Sequence, residues 1–480
     1  MNLSVKKQEK YSFFLLLLFS ILVLSIIPLY RILYYDALPP GETVYSHLAL
    51  GRTLMKEGIV SVDPGVALAR PYHFDFFDLL FGIFGSFVGM TFTGLLLPFV
   101  LGLLTLFFCY RMFLLVLSPK QALLTGIFLV TCPVFLTIFS EATNITLLLS
   151  IFCTGFFFFF QKNWTKYLSF VFFGLLLFSG PMHIFLALLL ILSFGPSAQD
   201  KRYVLILFSF LLFLFIWSFS FQTAHFSLHH TPLLLVIQNF FSDLGGTFGF
   251  SVFTVVLAVL SIPHLWKKKI ISSFLWIFFL VILLLIFFIS ELYAFYLLPF
   301  LAIGALFGFE QLLSRQWKLE YLSRITLFLF VLGILFSATS TVSRIATADP
   351  TSEIFSAFSW LEQHSSEDAI VFASPSAGSW IKYGAKRRVL IDRKTSSLDA
   401  TLLVDSQKLL TSRNIEDAFS LFQKYHIDYV AVVHGFSDDS WSQDNTNLLF
   451  LLQNSPHFKP VFSNDRVEIW SINTQATTSS

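Results

Sequence analysis

The stretch YYDALPPGETVYSHLALGRTLMKEGIVSVDPG, Tyr34 to Gly65, follows a long apolar run and is rich in groups that do chemistry. Pro39-Pro40-Gly41 signals a helix start, and Glu42 falls at its first turn, where the helix dipole favours a carboxylate. From Thr43 to Gly58 the period is helical. Val44, Leu48, Gly51 and Met55 share one face, while Glu42, Tyr45, Arg52 and Lys56 project about 100° away. The pattern predicts a helix lying along the outer surface of a membrane, with a carboxylate, a phenol and two cations on one stripe. Arg52 and Lys56 would grip a lipid-linked phosphate or pyrophosphate through charge-assisted hydrogen bonds. Glu42 would deprotonate an acceptor hydroxyl or orient a divalent cation. A plainer alternative makes Glu42 a favourable first-turn acid and leaves the other groups solvated.

Further ionisable residues are expected at the same face. Asp63-Pro64 and ARPYHFD add Asp63, Arg70, His73 and Asp75 to the loop. One later apolar run ends at FSEATN, contributing Glu141 and Asn144, and another ends at SGPMHIF, contributing His183. Glu291, Tyr293 and Tyr296, at a further helix end, suit the wall of a substrate groove. Ionisable groups at a membrane boundary are expensive unless paired or functional, so their convergence is the signal. His225, His229 and His230 lack the fixed spacing of a zinc site.

The elements that must position these groups are mostly apolar. The 480 residues are 56% hydrophobic and 12% charged, with 62 Phe, against roughly 25% charged residues in soluble domains. That balance predicts a polytopic α-helical membrane protein. Net charge of +2 points to neither a nucleic-acid partner nor an acidic substrate. Cys109, Cys132 and Cys153 all lie in apolar runs and read as packing residues. About eleven spans are expected, at 11–33, 90–117, 121–140, 145–160, 167–180, 182–196, 203–221, 248–265, 271–290, 293–313 and 325–343. Phe74–Val88 reads as a further span or an interfacial helix. The first run is too long for a signal peptide and reads as a retained span. Lys and Arg concentrate in alternate loops, placing the N-terminus in the cytoplasm and the opening loop and C-terminal residues outside.

From about Arg344 charges and turn residues return, predicting a soluble extracytoplasmic α/β domain over 344–472 beside a membrane domain over 1–343, with a disordered tail at 473–480. SEIFSAFSWLEQHS and NIEDAFSLFQKYH have helical spacing. DAIVFAS, RRVLID and IDYVAVV read as strands, and FKPVFSNDRVEIWSI as a hairpin around Ser463-Asn464-Asp465.

The loop as a whole resembles the first outer loop of GT-C membrane glycosyltransferases, above all archaeal oligosaccharyltransferase catalytic subunits. The matching positions are Gly41-Glu42, Tyr45, His47, Arg52, Gly58, Asp63-Pro64 and Arg70-Pro71-Tyr72. The C-terminal residues are similar in layout to the start of that family's extracytoplasmic domain, but Ala373-Ser374-Pro375-Ser376-Ala377-Gly378 stands in place of its WWDYG signature. The resemblance implies a polyprenyl-phosphate-linked or pyrophosphate-linked sugar donor and a protein or glycan acceptor. It makes Glu42 the first-loop acid, with Asp36 as the fallback and Glu141 standing where a second acidic motif sits. Glu42 and Glu141 would then be the ligands of Mn2+ or Mg2+, if the mechanism uses a metal. The missing signature puts asparagine-linked transfer to protein in doubt. Two other classes remain open: a non-catalytic binder of lipid-linked glycans, and a transporter, against which stands the absence of an inverted repeat.

Overall fold

A computed structural model describes residues 3–68, 70–72, 74–194, 201–222, 233–246, 249–267, 273–288, 291–396, 400–435 and 447–472. His73, His225, His229, His230 and the tail 473–480 lie outside the described residues. The chain opens with α1 (Leu3–Tyr34), followed by α2 (Thr43–Glu57), a two-residue hairpin of β1 (Val62–Asp63) and β2 (Arg70–Pro71), α3 (Phe76–Val88) and α4 (Met90–Phe113). An all-helical stretch comes next: α5 (Pro119–Val130), α6 (Pro133–Ile138), α7 (Asn144–Phe159), α8 (Leu168–Leu175), α9 (Pro181–Phe194) and α10 (Lys201–Gln222). It continues with α11 (Leu233–Phe240), α12 (Val252–Lys267), α13 (Ser273–Phe288), α14 (Leu298–Ser314) and α15 (Glu320–Ala346).

Among the described residues, five helices are long and apolar enough to cross a membrane: Lys7–Tyr34, Met90–Phe113, Lys201–Ser218, Tyr293–Ser314 and Glu320–Ala346. Seven further apolar helices have 10–17 residues, short of the ~20 that a hydrocarbon core of about 30 Å requires. Two of the expected runs are broken for a local reason. Pro133 has no N–H and disfavours helix at Cys132, so 121–140 becomes α5 and α6. The run 167–180 becomes α8 and a 3-10 turn that stops at Gly180.

The chain divides into two compact units. The first comprises Met1–Leu29 and Leu96–Thr347. Small residues set its helix contacts: a Cβ at Gly308 on α14 would collide with the Leu257 carbonyl of α12, so only glycine permits that crossing. Thr105 of α4 and Ser150 of α7 share a hydrogen bond of 2.7 Å in the interior. Leu18, Leu22, Phe328 and Phe336 are among the large apolar side chains left exposed along α1 and α15, the surface that hydrocarbon would cover.

The second unit comprises Tyr30–Leu95 and Ala348–Ser480, so the opening loop clusters with the C-terminal residues rather than with the apolar helices. Its C-terminal part holds α16 (Ser352–His364), β3 (Ile370–Phe372), α17 (Pro375–Gly384), β4 (Arg388–Val389), α18 (Arg393–Ser396), α19 (Ala400–Leu410), α20 (Ile415–Tyr425), β5 (Tyr429–Val433), α21 (Leu448–Asn454), β6 (Phe458–Ser463) and β7 (Val467–Ile472). The sheet runs β4-β3-β5-β7-β6, with β3 parallel to β4 and β5, and β7 antiparallel to β5 and β6. Thr351 and Asn414 cap α16 and α20, and the Asn464 side chain closes the β6–β7 hairpin by accepting from the Arg466 and Val467 N–H groups. Phe372, Leu402, Phe422, Val430, Val432 and Leu452 belong to the core behind the sheet.

The loop joins this sheet directly. Val66 forms a parallel bridge with Val389: Ala67 N–H donates to the Val389 carbonyl at 2.9 Å, and Val389 N–H to the Gly65 carbonyl at 3.0 Å. The exposed edge of β4 is thereby covered by loop backbone.

Candidate functional site

Glu42 sits on a backbone fixed from several directions. Arg31, fully buried near the end of α1, donates to the carbonyls of Leu38 (2.6 Å), Ala348 (2.5 Å) and Pro350 (2.7 Å), and its guanidinium lies 4.3 Å from the Tyr35 ring centroid. Tyr45 Oη donates to the Pro39 carbonyl at 2.9 Å. Gly41 N–H donates to the Asp349 carbonyl at 3.0 Å, and the Trp380 indole N–H donates to the Gly41 carbonyl at 3.1 Å. The Glu42 side chain makes no capping hydrogen bond to α2 and is only 11% exposed. Its Oε1 lies 2.6 Å from Nε of Arg393, a residue 62% exposed. Asp36 is exposed in the turn after α1, in a left-handed conformation with φ 50°.

The stripe read from α2 is rearranged by packing. Tyr45 points inward, its ring 5.2 Å from Phe355 and 5.4 Å from Tyr383, and burial pushes its phenol well above its ordinary 10.0. Arg52 stacks on Tyr383 with its guanidinium 4.5 Å from the ring centroid, and donates to the Tyr383 carbonyl at 3.3 Å. Lys56 is exposed. The expected membrane-facing side of α2 is covered by protein instead. Val44, Leu48 and Gly51 are buried, Met55 is exposed, and α3 and α17 pack on the helix. A Cβ at Gly51 would meet the Asp78 carbonyl and the Gly82 N–H of α3, both at 2.8 Å.

That close approach builds a polar group under α2. His47 Nδ1 lies 2.5 Å from Asp78 Oδ1, and Tyr72 Oη donates to Asp78 Oδ2 at 2.9 Å. Burial and then the Asp78 charge raise the Tyr72 phenol above its ordinary range. Asp75 caps α3 by accepting from Phe77 N–H at 2.8 Å. His47, Asp75 and Asp78 each offer a ligand atom within 4.8 Å of the others, a nitrogen and two oxygens of the kind divalent ions take. This group includes neither Glu42 nor Glu141. Asp78 escaped the sequence reading because it is embedded in the apolar run FFDLLF; its spacing of three from Asp75 was the available signal.

Asp63 and Arg70 form a buried four-charge cluster with Lys382 and Asp392. Arg70 donates to Asp63, and to Asp392 through Nη1 at 2.6 Å and Nη2 at 3.1 Å. Lys382 Nζ lies 2.6 Å from Asp392 and 3.3 Å from Asp63. Burial alone would raise both carboxyls, but Lys382 and Arg70 hold them below the ordinary carboxylate range. The Arg70 guanidinium, expected among the ionisable groups of the outer face, is occupied by two carboxylates and braces the loop.

In the first unit, His183 and Tyr293 do come together. The His183 ring stacks at 5.5 Å on Tyr293, and its Nδ1 lies 2.9 Å from Tyr296 Oη. Glu141 is half-buried in the turn before α7, and Asn144 is exposed at the helix start, which Thr143 caps. The segment Ala373–Gly378 is buried apart from Pro375, and begins α17.

No family model matches the chain, and no curated protein matches it. Solved structures do. An Archaeoglobus fulgidus oligosaccharyltransferase, AglB, in complex with an inhibitory peptide and a dolichol-phosphate, matches at TM-score 0.56 and 11% identity over 86% of this chain and 69% of that one. A structure of the oligosaccharyltransferase from the same organism with Zn and sulfate matches at TM-score 0.57 and 12% identity, over 86% and 68%. ArnT from Cupriavidus metallidurans bound to undecaprenyl phosphate matches at TM-score 0.59 and 11% identity, over 97% of this chain and 98% of that one. The chain shares the fold of these solved structures, and that fold is the one the resemblance of the loop implied.

Proposed function

We propose that the protein is a membrane glycosyltransferase that moves a sugar or oligosaccharide from a polyprenyl-phosphate or pyrophosphate donor to a protein or glycan acceptor at the outer face of the membrane. The observation that carries this reading is the placement of Glu42. A nearly buried carboxylate with no capping hydrogen bond stands on a braced backbone at the head of α2, in a fold shared with proteins solved in complex with dolichol-phosphate and undecaprenyl phosphate. The positive-inside pattern supports a cytoplasmic N-terminus and about eleven spans, with 344–472 outside.

In this reading Glu42 accepts the proton of the acceptor as the acceptor bonds to the anomeric carbon, and the polyprenyl phosphate departs with the electrons of the broken sugar–oxygen bond. Arg52 and Lys56 stabilise the charge on the leaving phosphate. Arg70 cannot, since Asp63 and Asp392 hold it. A divalent ion such as Mn2+ or Mg2+, when bound, would polarise phosphate oxygens; His47, Asp75 and Asp78 offer a fitting donor set. The acceptor is read without a WWDYG-type surface, because the residues in its place are largely buried.

One observation favours a non-catalytic binder: Glu42 is paired with Arg393. The two readings separate on donor consumption. Purified protein would be incubated with polyprenyl-linked sugars, with and without Mn2+ or Mg2+, and followed by mass spectrometry beside Glu42→Gln. Loss of donor with wild type alone supports transfer, whereas retention of lipid by both proteins without consumption replaces it with binding.

A further inference from the structure

The pairing of Glu42 with Arg393 is lopsided. Glu42 is held through its neighbours, with Trp380 on Gly41, Asp349 on Gly41 and Tyr45 on Pro39, and is 11% exposed. Arg393 is 62% exposed, with Nε on Glu42 and Nη2 3.4 Å from the Ser376 hydroxyl. The backbone behind it is anchored, because Asp392 is locked into the buried cluster with Arg70 and Lys382. Lys394, also exposed, adds a second cation beside it. The buried member of the pair is the carboxylate and the exposed one is the guanidinium.

We propose that Arg393 is a ligand of the donor's phosphate, lent to Glu42 until the lipid-linked anion arrives. This deepens the glycosyl-transfer reading and rests on it. A guanidinium fork matches phosphate oxygens in two parallel hydrogen bonds, and a phosphate offers more charge than one carboxylate. An ion pair with one largely exposed partner is weak and is readily exchanged. Transfer of Arg393 to phosphate leaves the Glu42 carboxylate without that cation, and so a better proton acceptor at the moment the donor is in place. The C-terminal part of the second unit then supplies a binding group to the loop acid as well as a brace.

The test is a binding cycle on the full-length protein in detergent, with farnesyl phosphate as probe and farnesol and inorganic phosphate as controls. Arg393→Ala is expected to weaken farnesyl phosphate binding about tenfold, the scale of one lost charge-assisted hydrogen bond. Glu42→Gln is expected to tighten it several-fold, because the competitor for the guanidinium is gone. In the double variant that gain should vanish, and farnesol binding should be unchanged throughout. Inorganic phosphate should bind more weakly than farnesyl phosphate; equal affinity would overturn the lipid-linked identity of the ligand. Wild-type affinity in Arg393→Ala, or a gain from Glu42→Gln that persists without Arg393, overturns the exchange while leaving glycosyl transfer standing. Failure of every folded form to bind farnesyl phosphate overturns both.

Discussion

Trp380 donates its indole N–H to the carbonyl of Gly41 at 3.1 Å, so the residue before Glu42 is held by a side chain on α17, more than three hundred positions along the chain. The Trp380 ring is fully buried. Catalysis by a positioned carboxylate loses rate when its backbone drifts by even an ångström.

Trp380→Phe keeps most of the ring and removes the donor. It should cost about 1 kcal/mol of stability, a typical buried hydrogen bond, and lower donor turnover more than that loss explains. Thermal unfolding and turnover measured on the same preparation check this. Unchanged turnover would mean that Gly41 is held well enough by Asp349 alone.

The cluster of Asp63, Arg70, Lys382 and Asp392 makes stability depend on acid. Both carboxyls have folded-state values below their ordinary 3.8. Their contribution is therefore complete above about pH 4 and is lost as pH falls from there towards the folded values. Melting temperature measured between pH 7 and pH 3 should be flat in its upper part and fall below about pH 4. Asp392→Asn should lower stability at neutral pH by about 3–5 kcal/mol, the scale of a broken buried pair, and flatten the acid-side fall.

Gly51 lets α2 meet α3 backbone to backbone. Gly51→Ala puts a Cβ 2.8 Å from the Asp78 carbonyl and the Gly82 N–H, neither of which is a flexible side chain. The expected loss is about 1–3 kcal/mol of stability from overpacking. Because Asp78 moves with that backbone, the variant should also perturb the His47 ring, visible as a changed imidazole signal by NMR in selectively labelled protein.

Some of this was legible in the sequence and some was not, for physical reasons. The turn at Asn464 is local, so residue type was enough to locate it. Periodicity showed that Val44, Leu48 and Gly51 share a buried face, but periodicity says nothing of what buries it. The expected cover was lipid, and the actual cover is α3 and α17. Arg70 and Asp63 were singled out as ionisable groups of the outer face because charge types are visible while pairings are not. Their partners Lys382 and Asp392 lie more than three hundred residues away, so nothing local marks them as such. Arg393 was overlooked for a related reason: beside the strand-like run RRVLID it looks like a solvated charge.

Arg31 supports the most demanding prediction about the loop. Its guanidinium serves the backbone carbonyls of Leu38, Pro39, Ala348 and Pro350 from a fully buried position. Arg31→Met fills much of the volume and strips those carbonyls of their donor, which should cost roughly 3 kcal/mol or more at about 1–3 per orphaned group. Arg31→Lys can serve some of the carbonyls with one ammonium, and should fall between wild type and Arg31→Met. The order should appear twice, in melting temperature and in resistance of the 34–42 segment to limited proteolysis. Equal melting temperatures for all three would mean that Tyr45, Trp380 and Asp349 hold the loop without Arg31. Loss of stability with unchanged proteolysis would place its role in α1 rather than in the backbone that carries Glu42.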